Sequence, residues 1–153
     1  MNTPEDWINE GLAEYSAFLV SEDLVAREFA GQLLSEYKKR AVESKTESAI
    51  AETEGNSPDR EVNRYDKPTM IMYEARKKFG VEKMTRFLKA LYNRFEQSNK
   101  ATTVIFLEEV EKNMGTDARA FFLKALYAKR WDKILSDGIM KRGMVNGTRP
   151  HEI

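Results

Sequence analysis

The sequence predicts an all-α fold of about six helices in a bundle-like array with one long loop. Three observations carry that expectation. Apolar residues recur at helical spacing through most of the chain, most cleanly in Met84, Phe87, Leu88, Leu91 and Phe95. No segment alternates as a half-buried strand does. Apolar residues make up 41% and charged residues 33% of 153, a balance suited to a helical chain with a real core.

The elements follow in order. Thr3-Pro4-Glu5-Asp6 opens a first helix, with a capping hydroxyl, a proline at the first helical position and two acids at the positive end of the dipole. Ile8, Leu12, Tyr15 and Leu19 give its stripe. Ser21, Glu22 and Asp23 read as the start of a second helix, whose stripe of Leu24, Val25, Phe29, Leu33, Leu34 and Tyr37 runs to about Val42. Lys38 to Arg40 then face the C-terminal dipole as a basic cluster. Residues 43–66 are rich in Ser, Thr, Glu, Asn, Gly and Pro, and they predict a long loop with a short turn at Ala49 to Ala51. Helicity resumes at Pro68 and stops near Gly80. Val81 opens the next helix. A turn at residues 98–102 leads to the helix bearing Phe106, Leu107, Val110 and Met114, and Gly115 closes it. Thr116 and Asp117 cap the last long helix, with Phe121, Phe122, Leu126, Trp131, Ile134 and Leu135. One domain is expected over 1–137, with a flexible tail over 138–153.

Composition excludes several functions. Lys+Arg and Asp+Glu number 25 each, which removes the bulk electrostatic case for nucleic acid or a membrane as partner. No cysteine is present, so there is no disulfide, thiolate metal site or cysteine nucleophile. No apolar run reaches the ~20 residues of a membrane span, and the acidic start is no secretory signal. These absences favour the cytoplasm as compartment. The first helix begins so near Met1 that an upstream part of a larger protein is expected. The lone histidine, His151, falls in the tail, so a serine triad lacks its base and a catalytic zinc site lacks its imidazoles. Phosphate-binding glycine motifs and a calcium-binding helix–loop–helix are absent as well.

One stretch carries a sharper signal. Trp7-Ile8-Asn9-Glu10-Gly11-Leu12-Ala13 resembles the Trp-x-Asn-Glu-Gly segment of the zinc aminopeptidases related to aminopeptidase N, within the gluzincin metallopeptidases. In that family a helix bearing His-Glu-x-x-His is followed by a helix whose Asn-Glu-Gly glutamate is the third zinc ligand. The resemblance puts Glu10 at that position. Arg64-Tyr65-Asp66-Lys67-Pro68 resembles the family's Tyr-Glu-Lys-Gly stretch, which makes Tyr65 the counterpart of an oxyanion-stabilising tyrosine. Phe79-Gly80-Val81 and the Ala101-Thr102 and Phe121-Phe122 helices resemble later elements, in order, so the likeness covers about residues 5–130. His-Glu-x-x-His is missing from this chain, and Pro68 stands where the family has glycine.

The resemblance implies zinc as cofactor, but two ligands and the general base are not supplied here, so the chain alone is expected to hold no zinc. It further implies the helical C-terminal part of a peptidase catalytic domain, acting on a peptide substrate only when completed. An apolar face is then left open, available for self-association or a partner protein. The alternative is a non-catalytic helical interaction module on the same scaffold. Taken residue by residue, simpler readings stand beside these: Glu10 and Glu14 as solvated acids, Asn9 as a surface amide, Tyr65 as a half-buried loop tyrosine. Gly11, costly in mid-helix, reads either as a close approach by another element or as simple tolerance.

Overall fold

The fold was analysed in a computed structural model that describes residues 3–44 and 48–131. The boundary at 137, the expected tail 138–153, Ile134, Leu135 and His151 lie outside the described residues. Within them the chain is all-α, with six α-helices and no strand: α1 (Asp6–Leu24), α2 (Arg27–Glu43), α3 (Lys67–Phe79), α4 (Val81–Ser98), α5 (Thr103–Met114) and α6 (Thr116–Leu126). No helix among the described residues is long and apolar enough to cross a membrane.

Several boundaries differ from expectation. α1 begins at Asp6 with Glu5 at its N-cap, so Pro4 precedes the helix, and the Thr3 hydroxyl donates to the Asp6 carboxylate at 2.9 Å instead of capping. Ser21, Glu22 and Asp23 do not start a helix but belong to the last turns of α1, and the break falls at Val25 and Ala26. Glu22 has an ion-pair partner on α3, Arg76 (2.7 Å), that holds this turn in place, so its capping potential goes unused. Leu24 and Val25, read as core, are exposed.

The 43–66 segment is likewise not one loop. A 3-10 turn at Ile50–Glu52 sits where the short turn was expected, with Ala49 and Ile50 fully buried. Helical structure then begins at Arg60, and a π-helical turn (Val62–Asp66) runs directly into α3. Pro68 explains the π turn. It has no N–H to give the Arg64 carbonyl, and its ring would press on that oxygen in a regular α-helix. The ladder widens instead, and the Lys67 amide donates to the Val62 carbonyl five residues back. Pro68 is therefore a residue inside a helix, not its first.

Other signals hold. Gly80 and Gly115 end α3 and α5 with φ of 97° and 100°, values that L side chains resist. Thr102 caps α5, its hydroxyl accepting from the Ile105 amide at 3.2 Å. Thr116, by contrast, is the first residue of α6 and Gly115 its N-cap.

The helices pack as two layers sharing α3. α1, α2 and the π turn close on one side of α3, and α4, α5 and α6 on the other. Phe87, Phe106 and Phe122 meet largely edge to face in the second layer, at 5.2 Å for the two contacts of Phe106. Trp7 reaches across from α1 to stand on Phe106 at 5.0 Å, and its indole N–H donates to Thr103 Oγ1 at 3.1 Å. Glu5 finishes the junction, accepting from both the Thr103 amide and its hydroxyl at 2.6 Å. The N-termini of α1 and α5 are thereby pinned together. Thr102→Ala is expected to cost about 1 kcal/mol, the usual value of a lost N-cap hydroxyl, read as a lower urea midpoint.

Candidate functional site

Where α1 meets the π turn, the backbones come unusually close. A Cβ built on Gly11 would lie 2.5 Å from Pro68 Cβ and 3.2 Å from the Arg64 carbonyl oxygen. Only glycine fits, so of the two readings of its mid-helix position the close approach holds. The contact sets the neighbouring residue, Glu10, beside Tyr65.

Glu10 and Tyr65, far apart in sequence, are brought side by side, the phenol towards the carboxylate. Hydrogen bonding towards the Glu10 carboxylate, more than burial, holds the Tyr65 pKa above the ordinary phenol value. Both side chains are half-buried. The simpler reading of Tyr65 as a loop residue is corrected, because it sits in the π turn. Thr69 hydroxyl donates to the Tyr65 carbonyl at 2.8 Å, one of the groups freed by the irregular ladder.

The same pattern repeats one turn on. Glu14 is not simply solvated; it accepts from the Tyr37 hydroxyl at 2.5 Å. Burial and that bond both push the Tyr37 pKa up. Arg40 stacks by the Tyr37 ring and forms a two-pronged pair with Asp66, both contacts at 2.8 Å. The last member of the basic run thus serves a tertiary ion pair as well as the dipole. Asp6 pairs with buried Arg64 at 3.2 Å. Carboxylates of α1 therefore meet residues of α2 and the π turn in a ladder.

Beside Glu10 opens a polar cleft of about 550 Å³, lined by Thr3, Glu5, Asp6 and Asn9 of the α1 end and by Lys100, Ala101 and Thr102 of the turn before α5. Asn9 is exposed on its wall. The cleft owes its shape to the Glu5–Thr103 junction, which holds its two walls together.

Lys67 lies under the π turn. It is fully buried, donates to Asn63 Oδ1 at 2.6 Å, and stands 5.5 Å over the Trp131 ring. Desolvation lowers its pKa to about 8, a fall that Asp59 opposes. Asn63 in turn donates to Thr53 Oγ1 at 2.7 Å and to the Ser48 carbonyl at 3.0 Å, tying the 3-10 segment to the same post. Sequence reasoning missed this cluster, the Arg40–Asp66 pair and the Asp6–Arg64 pair. All are long-range or hidden in a stretch that reads as polar loop, and no local pattern announces them.

A zinc site of the kind the resemblance implies takes three protein ligands. Among the described residues no three His, Cys, Asp or Glu side chains are grouped to hold a metal. Among the described residues no such group includes Glu10, and Tyr65 lies beside its carboxylate. Compared with known protein families, curated proteins and solved structures, the chain matches none.

Proposed function

We propose that this chain is the helical part of a peptidase-like site, inert by itself, with Glu10 and Tyr65 as the two groups it contributes. One observation carries the reading: two residues picked out by separate motifs lie side by side, and one of them, Glu10, lines an open polar cleft. Gly11 against Pro68 supports it, because that contact spends a mid-helix glycine on placing the pair. In a completed site Glu10 would supply one metal ligand and the Tyr65 hydroxyl a hydrogen bond to developing negative charge. The metal-holding helix and the general base would come from a segment these 153 residues do not contain. The substrate class that follows is a peptide.

The test has two arms. The chain with zinc and an aminoacyl-anilide is expected to show no turnover. Fused behind a helix bearing His-Glu-x-x-His, it is expected to take up zinc, with Glu10→Gln weakening zinc at least about tenfold. Tyr65→Phe should leave zinc content alone and lower kcat by about 10²–10³. Turnover by the unfused chain, or zinc uptake by the fusion indifferent to Glu10→Gln, would overturn the proposal.

A second reading, a helical interaction module without catalysis, is favoured by a different observation, the exposed Ala13, Ala17, Val20 and Leu24 stripe on the outer face of α1.

A further inference from the structure

α1 buries Trp7, Ile8, Gly11, Tyr15 and Phe18 against the rest of the fold. At ~100° per residue the opposite face carries Asn9, Ala13, Ser16, Ala17, Val20 and Leu24, and all six are exposed, Val20 at 55% and Leu24 at 80%. None is charged. A surface helix ordinarily puts its charges on that face, whereas here Ala13, Ala17, Val20 and Leu24 leave an exposed apolar stripe beside Asn9 and Ser16, of the kind another element can cover.

The border of the face says what covers it. α1 holds five carboxylates (Asp6, Glu10, Glu14, Glu22 and Asp23) and no Lys or Arg. Arg64 and Arg76 pair with Asp6 and Glu22. Glu10 and Glu14 face tyrosine hydroxyls, which are neutral partners, and Asp23 is exposed at the C-terminal end, where the helix dipole is also negative. At the N-terminal end the stripe runs into the cleft, whose walls carry Glu5, Asp6 and Glu10 against a single Lys100.

We propose that the outer face of α1 docks a basic amphipathic helix of a partner protein, its apolar stripe on Ala13, Ala17, Val20 and Leu24, its flanking Lys or Arg side chains over Glu10, Glu14 and Asp23. Ala13 and Ala17 let the two backbones approach closely, and Val20 and Leu24 supply apolar area. The acidic border selects the occupant. It repels an anionic membrane, and it repels a second copy of α1, whose own border is acidic. The docking names the partner class of the interaction-module reading and needs no metal, so it stands or falls separately from the peptidase reading.

The test uses the metal-free chain and two fluorescent helical peptides with the same Leu/Ala stripe, one flanked by lysines and the other by glutamates. The lysine-flanked peptide is expected to bind at least about tenfold more tightly, with affinity falling as salt rises. Ala17→Glu and, separately, Val20→Glu should each remove that binding while the far-ultraviolet spectrum and thermal midpoint stay put. Tyr92→Glu, at an exposed aromatic on α4, should leave it unchanged. Equal affinity for the two peptides, or no binding of the lysine-flanked one, overturns the proposal. So does self-association, or adsorption to phosphatidylserine vesicles, that Ala17→Glu abolishes.

Discussion

Gly11→Ala is expected to destabilise the protein by about 1–3 kcal/mol, although alanine is the better helix former by about 1 kcal/mol. The added methyl has no room: Pro68 Cβ would be 2.5 Å away and the Arg64 carbonyl oxygen 3.2 Å. Neither can turn aside, because one belongs to a ring fixed on the backbone and the other is backbone. α1 and the start of α3 must therefore separate, and the contact between Glu10 and Tyr65 is the first to lengthen. Gly31 provides the internal control. It lies inside α2, and a Cβ there meets nothing within 4 Å. Gly31→Ala should stabilise by roughly 0.5–1 kcal/mol. Urea midpoints of the two variants should thus move in opposite directions. A Gly11→Ala protein as stable as Gly31→Ala would show that the contact at Pro68 does not constrain the fold.

Raising the pH from about 7 to about 9.5 should make the protein more stable, the reverse of what its tyrosines alone would do. Buried Lys67 binds its proton with a pKa near 8 when folded and near 10.5 when unfolded. Between those values the unfolded chain holds the extra proton, so stability rises with pH. The gain is fully present above 10.5 and is lost as pH falls through 8. Its full size is about 3 kcal/mol, from 1.36 kcal/mol per pH unit. The tyrosines act with the opposite sign. Burial raises Tyr15 to about 12, and Tyr37, Tyr65 and Tyr73 also lie above the usual 10, so the folded state keeps protons that the unfolded chain releases above pH 10. Stability should therefore peak between about pH 9 and 10. Lys67→Met should remove the rise and leave the alkaline fall. A wild-type profile flat between pH 7 and 9.5 would mean that water or a counter-charge reaches Lys67.

The two experiments probe the two supports of one turn. Gly11 sets how near α1 comes to the π turn, and Lys67 with Asn63 props that turn from beneath. Glu10 and Tyr65 are held between them. If the chain serves as part of a peptidase-like site, this rigidity is what it contributes, since a hydrogen-bond donor acts on developing charge only when already in position.

Much of this was legible in the chain. Met84, Phe87 and Leu91 are buried as their spacing implies, Gly80 and Gly115 end helices, and a close approach was one of two readings open to Gly11. These are local rules, in which a residue and its helical neighbours settle the outcome. The misreadings share a cause. Ser21-Glu22-Asp23 is a plausible cap by itself, but Arg76 claims Glu22 from α3. Residues 60–66 are polar enough to read as loop, yet Asn63, Arg64, Asp66 and Lys67 are buried because each has a partner on another element or beneath the turn.

The sequence by itself determined the all-α class, most of the helix ends and most of the apolar faces. Only the tertiary structure decided that Pro68 sits within a helix, that Lys67 is a buried post, that Glu10 and Tyr65 lie side by side, and that Val20 and Leu24 on the outer face of α1 are exposed. The division is physical. Periodicity and capping act within a turn or two of the chain, whereas the burial of a charge or the meeting of two side chains depends on which elements pack together.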